Sequence, residues 1–335
     1  MNISEFAKLA GVSKSAVSRY FNKGYLSEEK TIQIEKALKK YEYQPSLSAQ
    51  TVRTKTTKLV GVILPKLSSE SCSRVTEGIG QVLGEEGYEI LLVNTANDYH
   101  KEVKYLELFR QNRVDGVIFL ASIFTENHRR VLRKMHIPVV IVGQLYKGFS
   151  CICHDDFGAA YSMTKLMLDK GRKRPAFLGV TMDDEAVGKE RYRGYMEALA
   201  EKNILAEDHQ KISVGFQMDD GYQGTKYLFS QKEKPDCLFC ATDTIALGAM
   251  QYLNEQGFSI PSDVMMAAVG DSKVGKITAV PLTSAHLHYK TSGIEAARML
   301  LAAIRRPDEI PRVLRLDYTV VERASTKGGE EKIQE

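Results

Sequence analysis

The sequence predicts a small α-helical head carrying a helix-turn-helix, followed by an α/β body of two parallel-sheet lobes. Three observations predict it. Two helical patterns near the start are separated by a very short glycine turn. After Lys58 the pattern changes to repeated strand–helix alternation. The charge also divides there: residues 1–58 carry 11 lysines and arginines against 5 acids, whereas the whole 335-residue chain has a net charge of only +4.

The head is read as three helices. Ile3, Phe6, Ala7, Leu9 and Ala10 recur at helical spacing, with Asn2 and Glu5 placed as a capping pair. Gly11 stops this helix and Ser13 can cap a second one over Lys14 to Asn22, with Ala16, Val17, Tyr20 and Phe21 inward. Ser27, followed by Glu28 and Glu29, opens a third helix through Tyr41, with Ile32, Ile34, Ala37, Leu38 and Tyr41 as its apolar stripe. In the turn Gly11-Val12-Ser13, glycine permits the reversal, Val12 fills the angle and Ser13 satisfies free N–H groups. That arrangement places the second helix to enter a DNA major groove with Lys14, Ser15, Ser18 and Arg19 outward. A ligand-free three-helix bundle with a solvated basic surface is the other reading of the same residues.

Between Tyr43 and Lys58, Pro45 can start a helix too short to stand alone. Ala49 and Val52 share one face and Arg53 and Lys55 follow, which suits a minor-groove wedge with phosphate-binding cations. Without DNA the segment is expected to act as a linker.

The body alternates apolar strand-length runs, beginning with Leu59–Leu64, with amphipathic helices, and a second such set begins near Phe157. Near-continuous apolar strands indicate parallel sheets covered on both faces, and two such lobes make a cleft where strand C-termini meet. The glycine run Gly78-Ile79-Gly80 lies inside a helix, which fits helix packing better than dinucleotide binding. Cys237 and Cys240 fall in a strand, where residues three apart face opposite ways, so neither zinc nor a disulfide follows. His286 and His288 share a strand face and leave a metal pair as the minor alternative. No phosphate loop, nucleophile elbow or paired-carboxylate pattern suggests an enzyme, and no cofactor is expected. No apolar run is long enough to span a membrane, Met1 to Lys14 does not read as a secretory signal, and five cysteines suit a reducing, cytoplasmic setting.

The run Ala7-Lys8-Leu9-Ala10-Gly11-Val12-Ser13-Lys14-Ser15-Ala16-Val17-Ser18-Arg19, with Pro45 after it, resembles the head of the LacI/GalR family. Further landmarks are Gly171–Arg174, Arg191–Tyr195, Ala241–Ala249 and Pro281–Ser284. The resemblance implies base reading by Lys14, Ser15 and Arg19, phosphate contacts by Ser18 and Asn22, and a hinge wedge at Val52, where the family usually has Leu. It implies a helix-turn-helix domain over 1–44, a hinge over 45–58 and a periplasmic-binding-protein-like effector and dimerisation domain over 59–335. Lobe 1 would hold about 59–156 and 289–312, and lobe 2 about 157–286 and 314–322, with three crossings near 155–158, 285–290 and 312–316.

By the same resemblance, Arg191 grips sugar hydroxyls or a phosphate, Phe216 stacks on the ligand, and Asp271 holds hydroxyls. Thr242 and Asp243 complete the implied set, and Ser69 and Gln144 are added to it from the geometry of the loops that follow the first-lobe strands. The chain departs from the family at Gly270, at Thr242 and in the first-lobe loop Ser69-Glu70-Ser71-Cys72. The implied function is a repressor of a sugar-utilisation operon, resembling sucrose or disaccharide regulators, acting as a homodimer on a pseudo-palindromic operator. A sugar or sugar phosphate would relieve it. A catabolite regulator needing a phosphoprotein co-repressor, and a sugar-binding protein without DNA regulation, are the alternatives.

Overall fold

The computed structural model describes residues 1–21, 24–43, 56–111, 114–205 and 210–327. Its contacts divide the chain into two units, Met1–Lys58 and Leu59–Glu335.

The first unit contains α1 (Ile3–Leu9), α2 (Lys14–Phe21) and α3 (Glu28–Tyr41). The Asn2 side chain accepts from the N–H groups of Ser4 and Glu5 at 3.0 Å each. Glu5 accepts from Asn2 N–H at 2.8 Å in return, so two orphan ends of α1 are closed reciprocally. Gly11 turns with φ +68°, and Ser13 Oγ accepts from Ala16 N–H at 3.2 Å at the start of α2. Phe6, Val17 and Ile34 are wholly buried, and Tyr43 stacks on Phe6 with ring centres 4.2 Å apart. Two residues of the expected stripes lie outside this core: Leu9 is 50% exposed and Ile32 45%. Each is two positions from a buried neighbour, Ala7 and Ile34, and two steps rotate a helical side chain by about 200°.

The second unit holds two six-stranded sheets. In sequence order its first half is β1 (Leu59–Leu64), α4 (Glu70–Glu85), β2 (Glu89–Asn94), α5 (Tyr99–Gln111), β3 (Gly116–Leu120), α6 (Glu126–Leu132), β4 (Val139–Val142) and β5 (Ser150–His154). Next come α7 (Asp156–Asp169), β6 (Pro175–Gly179), a π-helical turn (Glu185–Glu190), α8 (Arg191–Glu201), β7 (Lys211–Ser213), α9 (Met218–Ser230), β8 (Cys237–Cys240) and α10 (Asp243–Glu255). The rest is β9 (Met265–Val269), α11 (Lys273–Ile277), β10 (Thr283–Leu287), α12 (Tyr289–Arg305), β11 (Val313–Leu316) and β12 (Tyr318–Val321).

The sheets run β11-β5-β4-β3-β1-β2 and β12-β10-β9-β8-β6-β7. Among the described residues every pairing is parallel except β10 with β12. The chain therefore leaves the first sheet after His154, returns to that lobe with α12 after Leu287, and passes between Leu316 and Tyr318 to the second sheet. Helix α12 packs on α4, and the approach is backbone to backbone. A Cβ at Gly78 would lie 2.1 Å from Lys290 O, and one at Gly293 would lie 2.0 Å from Val75 O. The glycine run thus serves helix packing.

The expected loop Ser69–Cys72 is corrected. Glu70 opens α4 and Ser69 is its N-cap, so three of the four residues form the first helical turn. An acid in a first turn is favoured by the helix dipole, a signal that apolar periodicity does not carry.

Candidate functional site

On α2, apolar Ala16 and Val17 are buried, whereas Lys14, Ser15 and Arg19 are exposed and Ser18 is half-buried. The buried side fixes the helix, so the exposed side is free to meet a partner. Ser13 Oγ and Ser15 Oγ share a hydrogen bond of 2.9 Å, which ties Ser15 to the turn. The other expected DNA-facing residues, Asn22, Ala49, Val52 and Arg53, lie outside the described residues.

In the second unit, Arg191 begins α8 directly after the π-helical turn and is 3% exposed. Its Nε and Nη2 donate to Asp156 Oδ1 at 2.8 and 2.7 Å, and Nη1 donates to Ala241 O. Burial works against its charge, but Asp156 and Tyr289 outweigh that, and the guanidinium stays firmly protonated. Asp184, 8% exposed, caps the π-helical turn by accepting from Val187 N–H at 2.8 Å. Burial raises its pKa to about 6.

Asp243 is 4% exposed and accepts from Ser272 N–H and Ser284 Oγ, both at 2.6 Å. Ser284 Oγ also accepts from Asp271 N–H at 2.9 Å. The Asp271 carboxylate is held by Lys276 and His286 at 2.9 Å each and by Arg323. Burial opposes ionisation, and the hydrogen bonds from Lys276 and Arg323 reverse it, so its pKa lies below the ordinary value. His286 is thereby committed to a carboxylate, with its ring 5.0 Å from that of His288. Among the described residues no group of three or more His, Cys, Asp or Glu could hold a metal. All five cysteines are free and buried.

The remaining expected residues lie in the segments that follow β8, β7, β1 and β4. Thr242 caps α10 through Ile245 N–H at 3.3 Å, and Phe216 packs half-buried on the second-lobe core. Ser69 Oγ lies 2.7 Å from Ser71 Oγ. Gln144 is 7% exposed and donates to Ser122 O. Ser122 is itself anchored by Glu102, whose other oxygen lies 3.2 Å from His128 Nε2, with both side chains wholly buried.

A cavity of about 470 Å³ opens between the lobes, lined by Lys66, Leu67, Ser68, Asn94, Ala96 and Asn97 from the first and Gln217 from the second. None of the seven expected effector residues lines it. The sequence reading gives no site role to Asp156, Asp184, Ser284, Glu102 or His128. Asp156, Ser284, Glu102 and His128 meet groups 13 to 41 residues away, as in Arg191–Asp156 and Ser284–Asp243, and only the fold joins them, whereas Asp184 caps Val187 three residues on.

Among the described residues no helix is long and apolar enough to cross a membrane. Comparison with known proteins adds two family models. Residues 57–324 match the model described as periplasmic binding proteins and sugar binding domain of LacI family, and residues 2–46 match the bacterial regulatory proteins of the lacI family. A relative named HTH-type transcriptional repressor PurR, from Vibrio atlanticus, is 30% identical over 97% of this chain and 98% of its own length. The sucrose operon repressor of Staphylococcus xylosus is 34% identical over 76% and 78%. Among solved structures, the lac repressor dimer bound to operator and the anti-inducer ONPF superposes with TM-score 0.87 at 19% identity, covering 98% of this chain and 99% of that one. The transcription regulator CcpA of Lactococcus lactis superposes with TM-score 0.74 at 30% identity, covering 80% and 99%.

Proposed function

The chain belongs to the LacI family of bacterial regulatory proteins, and from that premise we propose that it represses a sugar-utilisation operon and releases it when a sugar or sugar phosphate enters the interlobe cleft. The observation that carries the DNA half is α2: Lys14, Ser15 and Arg19 stand exposed on a helix whose opposite side is locked into the head core. Arg and Lys in that position can pair with guanine edges, and Ser15 and Ser18 suit phosphates. Asn22, Ala49, Val52 and Arg53 extend the same interface in this reading. A homodimer would present two heads to a pseudo-palindrome in the cytoplasm.

The effector half rests on the two-lobed architecture and on the likeness to a sucrose operon repressor. In this reading Arg191, Phe216, Thr242, Asp243, Asp271, Ser69 and Gln144 supply the contacts to the effector. Arg191 arrives already neutralised by Asp156, so in this reading it presents oriented N–H groups to hydroxyls. For the effector to act, it must bind one lobe arrangement better than the other, since only differential affinity shifts the equilibrium.

The test is fluorescence anisotropy of the full chain on a palindromic site upstream of a sugar operon, with and without sucrose and sugar phosphates. Expected are sequence-specific binding that weakens steeply with salt, and loss of affinity with one of the sugars. Sequence-blind binding, or none, overturns the DNA half. Specific binding that no sugar or sugar phosphate alters overturns the effector half.

A further inference from the structure

Away from the crossings, two side chains on the first turns of α4 reach from lobe 1 into lobe 2. Arg74 donates to Gly270 O at 3.3 Å and to Asp271 O at 2.8 Å. It also binds Glu70 one turn earlier at 2.6 Å. The Glu70 carboxylate in turn accepts from Lys273 N–H at 3.1 and 3.0 Å through its two oxygens. Glu70 and Arg74 are partly buried, with side chains 31% and 16% exposed.

The partner loop is shaped for this contact. Gly270 and Asp271 have φ +143° and +51°, and left-handed backbone at a non-glycine residue is held only by its surroundings. Here those surroundings are Lys276, His286 and Arg323 on the Asp271 carboxylate. The turn directs two successive carbonyls at one guanidinium. Lys273 is the first residue of α11, where the helix supplies no acceptor for its N–H, and Glu70 supplies one.

We propose that Glu70 and Arg74 are positioning residues for effector binding, a latch that holds the two walls of the cleft together before any ligand arrives. The inference rests on the cleft being the effector site. Both partners in lobe 2 are backbone groups, so the polarity of the latch is fixed: an acid must meet the N–H, and a cation must meet the carbonyls. A latch in the free protein raises the population of the closed arrangement, and apparent effector affinity scales with that population.

The experiment uses the full chain without effector or DNA. Small-angle scattering measures the radius of gyration, and amide exchange followed by NMR or mass spectrometry reads Lys273. The variants are Arg74→Ala, Arg74→Lys and the exchange Glu70→Arg with Arg74→Glu. The exchange variant keeps an ion pair four residues apart on α4 and the same net charge, but offers each lobe-2 backbone group the wrong partner.

Arg74→Ala and the exchange variant are expected to enlarge the radius of gyration. Lys273 exchange in the exchange variant should quicken by about tenfold, as loss of one charged hydrogen bond implies. Arg74→Lys keeps a cationic donor and should stay compact. If the exchange variant matches the wild type in both readouts, the contact is only an intrahelical ion pair and the latch is overturned. Arg74→Lys opening as far as Arg74→Ala, in a protein of unchanged circular dichroism, also overturns it. Because no effector is present, failure of the anisotropy test would sink the repressor reading without touching this result, and the reverse holds too.

Discussion

In the head, Lys14, Ser15 and Arg19 stand in solvent on a helix whose other side is fixed by Val17 against Phe6 and Ile34. In the body, Arg191, Asp156, Asp184, Asp243 and Asp271 are all buried, and each has a partner or caps a turn. The same residue type therefore does different work in the two regions. An exposed arginine is free to find its counter-charge on a polyanion. A buried arginine must bring its own, because a buried charge without a partner costs several kcal/mol. The head can keep its fold and lose its function, whereas the body cannot lose its polar centre without losing fold.

The sharpest way to break that contrast is Arg191→Ala. It strands Asp156, and destabilisation of about 3–5 kcal/mol is expected in denaturant unfolding. A change below about 1 kcal/mol would mean that water already shares the pair. Next is Asp184→Asn, which keeps the cap on the π-helical turn. A folded pKa of about 6, above the ordinary aspartate value of 3.8, means that the native state holds its proton longer than the unfolded chain. Asp184 therefore costs stability as pH rises through that window, reaching a ceiling of about 3 kcal/mol above it. The asparagine variant should melt above the wild type near pH 8, with the gap closing by about pH 4, as thermal scans would record. A gap of equal size at both would place its origin outside ionisation.

The smallest expected effect on stability comes from the head. Arg19→Ala should leave unfolding within about 0.5 kcal/mol of the wild type. It should nonetheless weaken operator binding by about 1–3 kcal/mol, measured by anisotropy. A drop in stability comparable to that in affinity would show Arg19 to be a structural residue after all.

The sequence was most readable where a local rule acts alone. β1 has its expected bounds, Leu59–Leu64, because it is a short continuous apolar run with abrupt ends. The Asn2–Glu5 box and the Gly11 turn are local too. In β5, Ser150-Cys151-Ile152-Cys153-His154 has few residues that signal a strand, and only its pairing with β4 and β11 defines it. α11 is five residues long, and the π-helical turn before Arg191 has no periodicity of its own, so neither left a pattern to find. In the candidate site, Arg191 and Asp271 came from resemblance, but their committed state did not. Asp156 and Arg323 lie 35 and 52 residues from the groups they neutralise, and no window of sequence spans that distance.

The interleaved route of the chain has a consequence for genetics. α12 and β11 belong to the lobe built from β1 to β5, yet they are encoded after the whole second sheet except β12. No continuous stretch of the gene specifies either lobe. A stop codon just after Leu287 would strip one lobe of the helix that packs on Gly78 and both sheets of an edge strand, so late nonsense alleles should behave as nulls rather than as half-receptors.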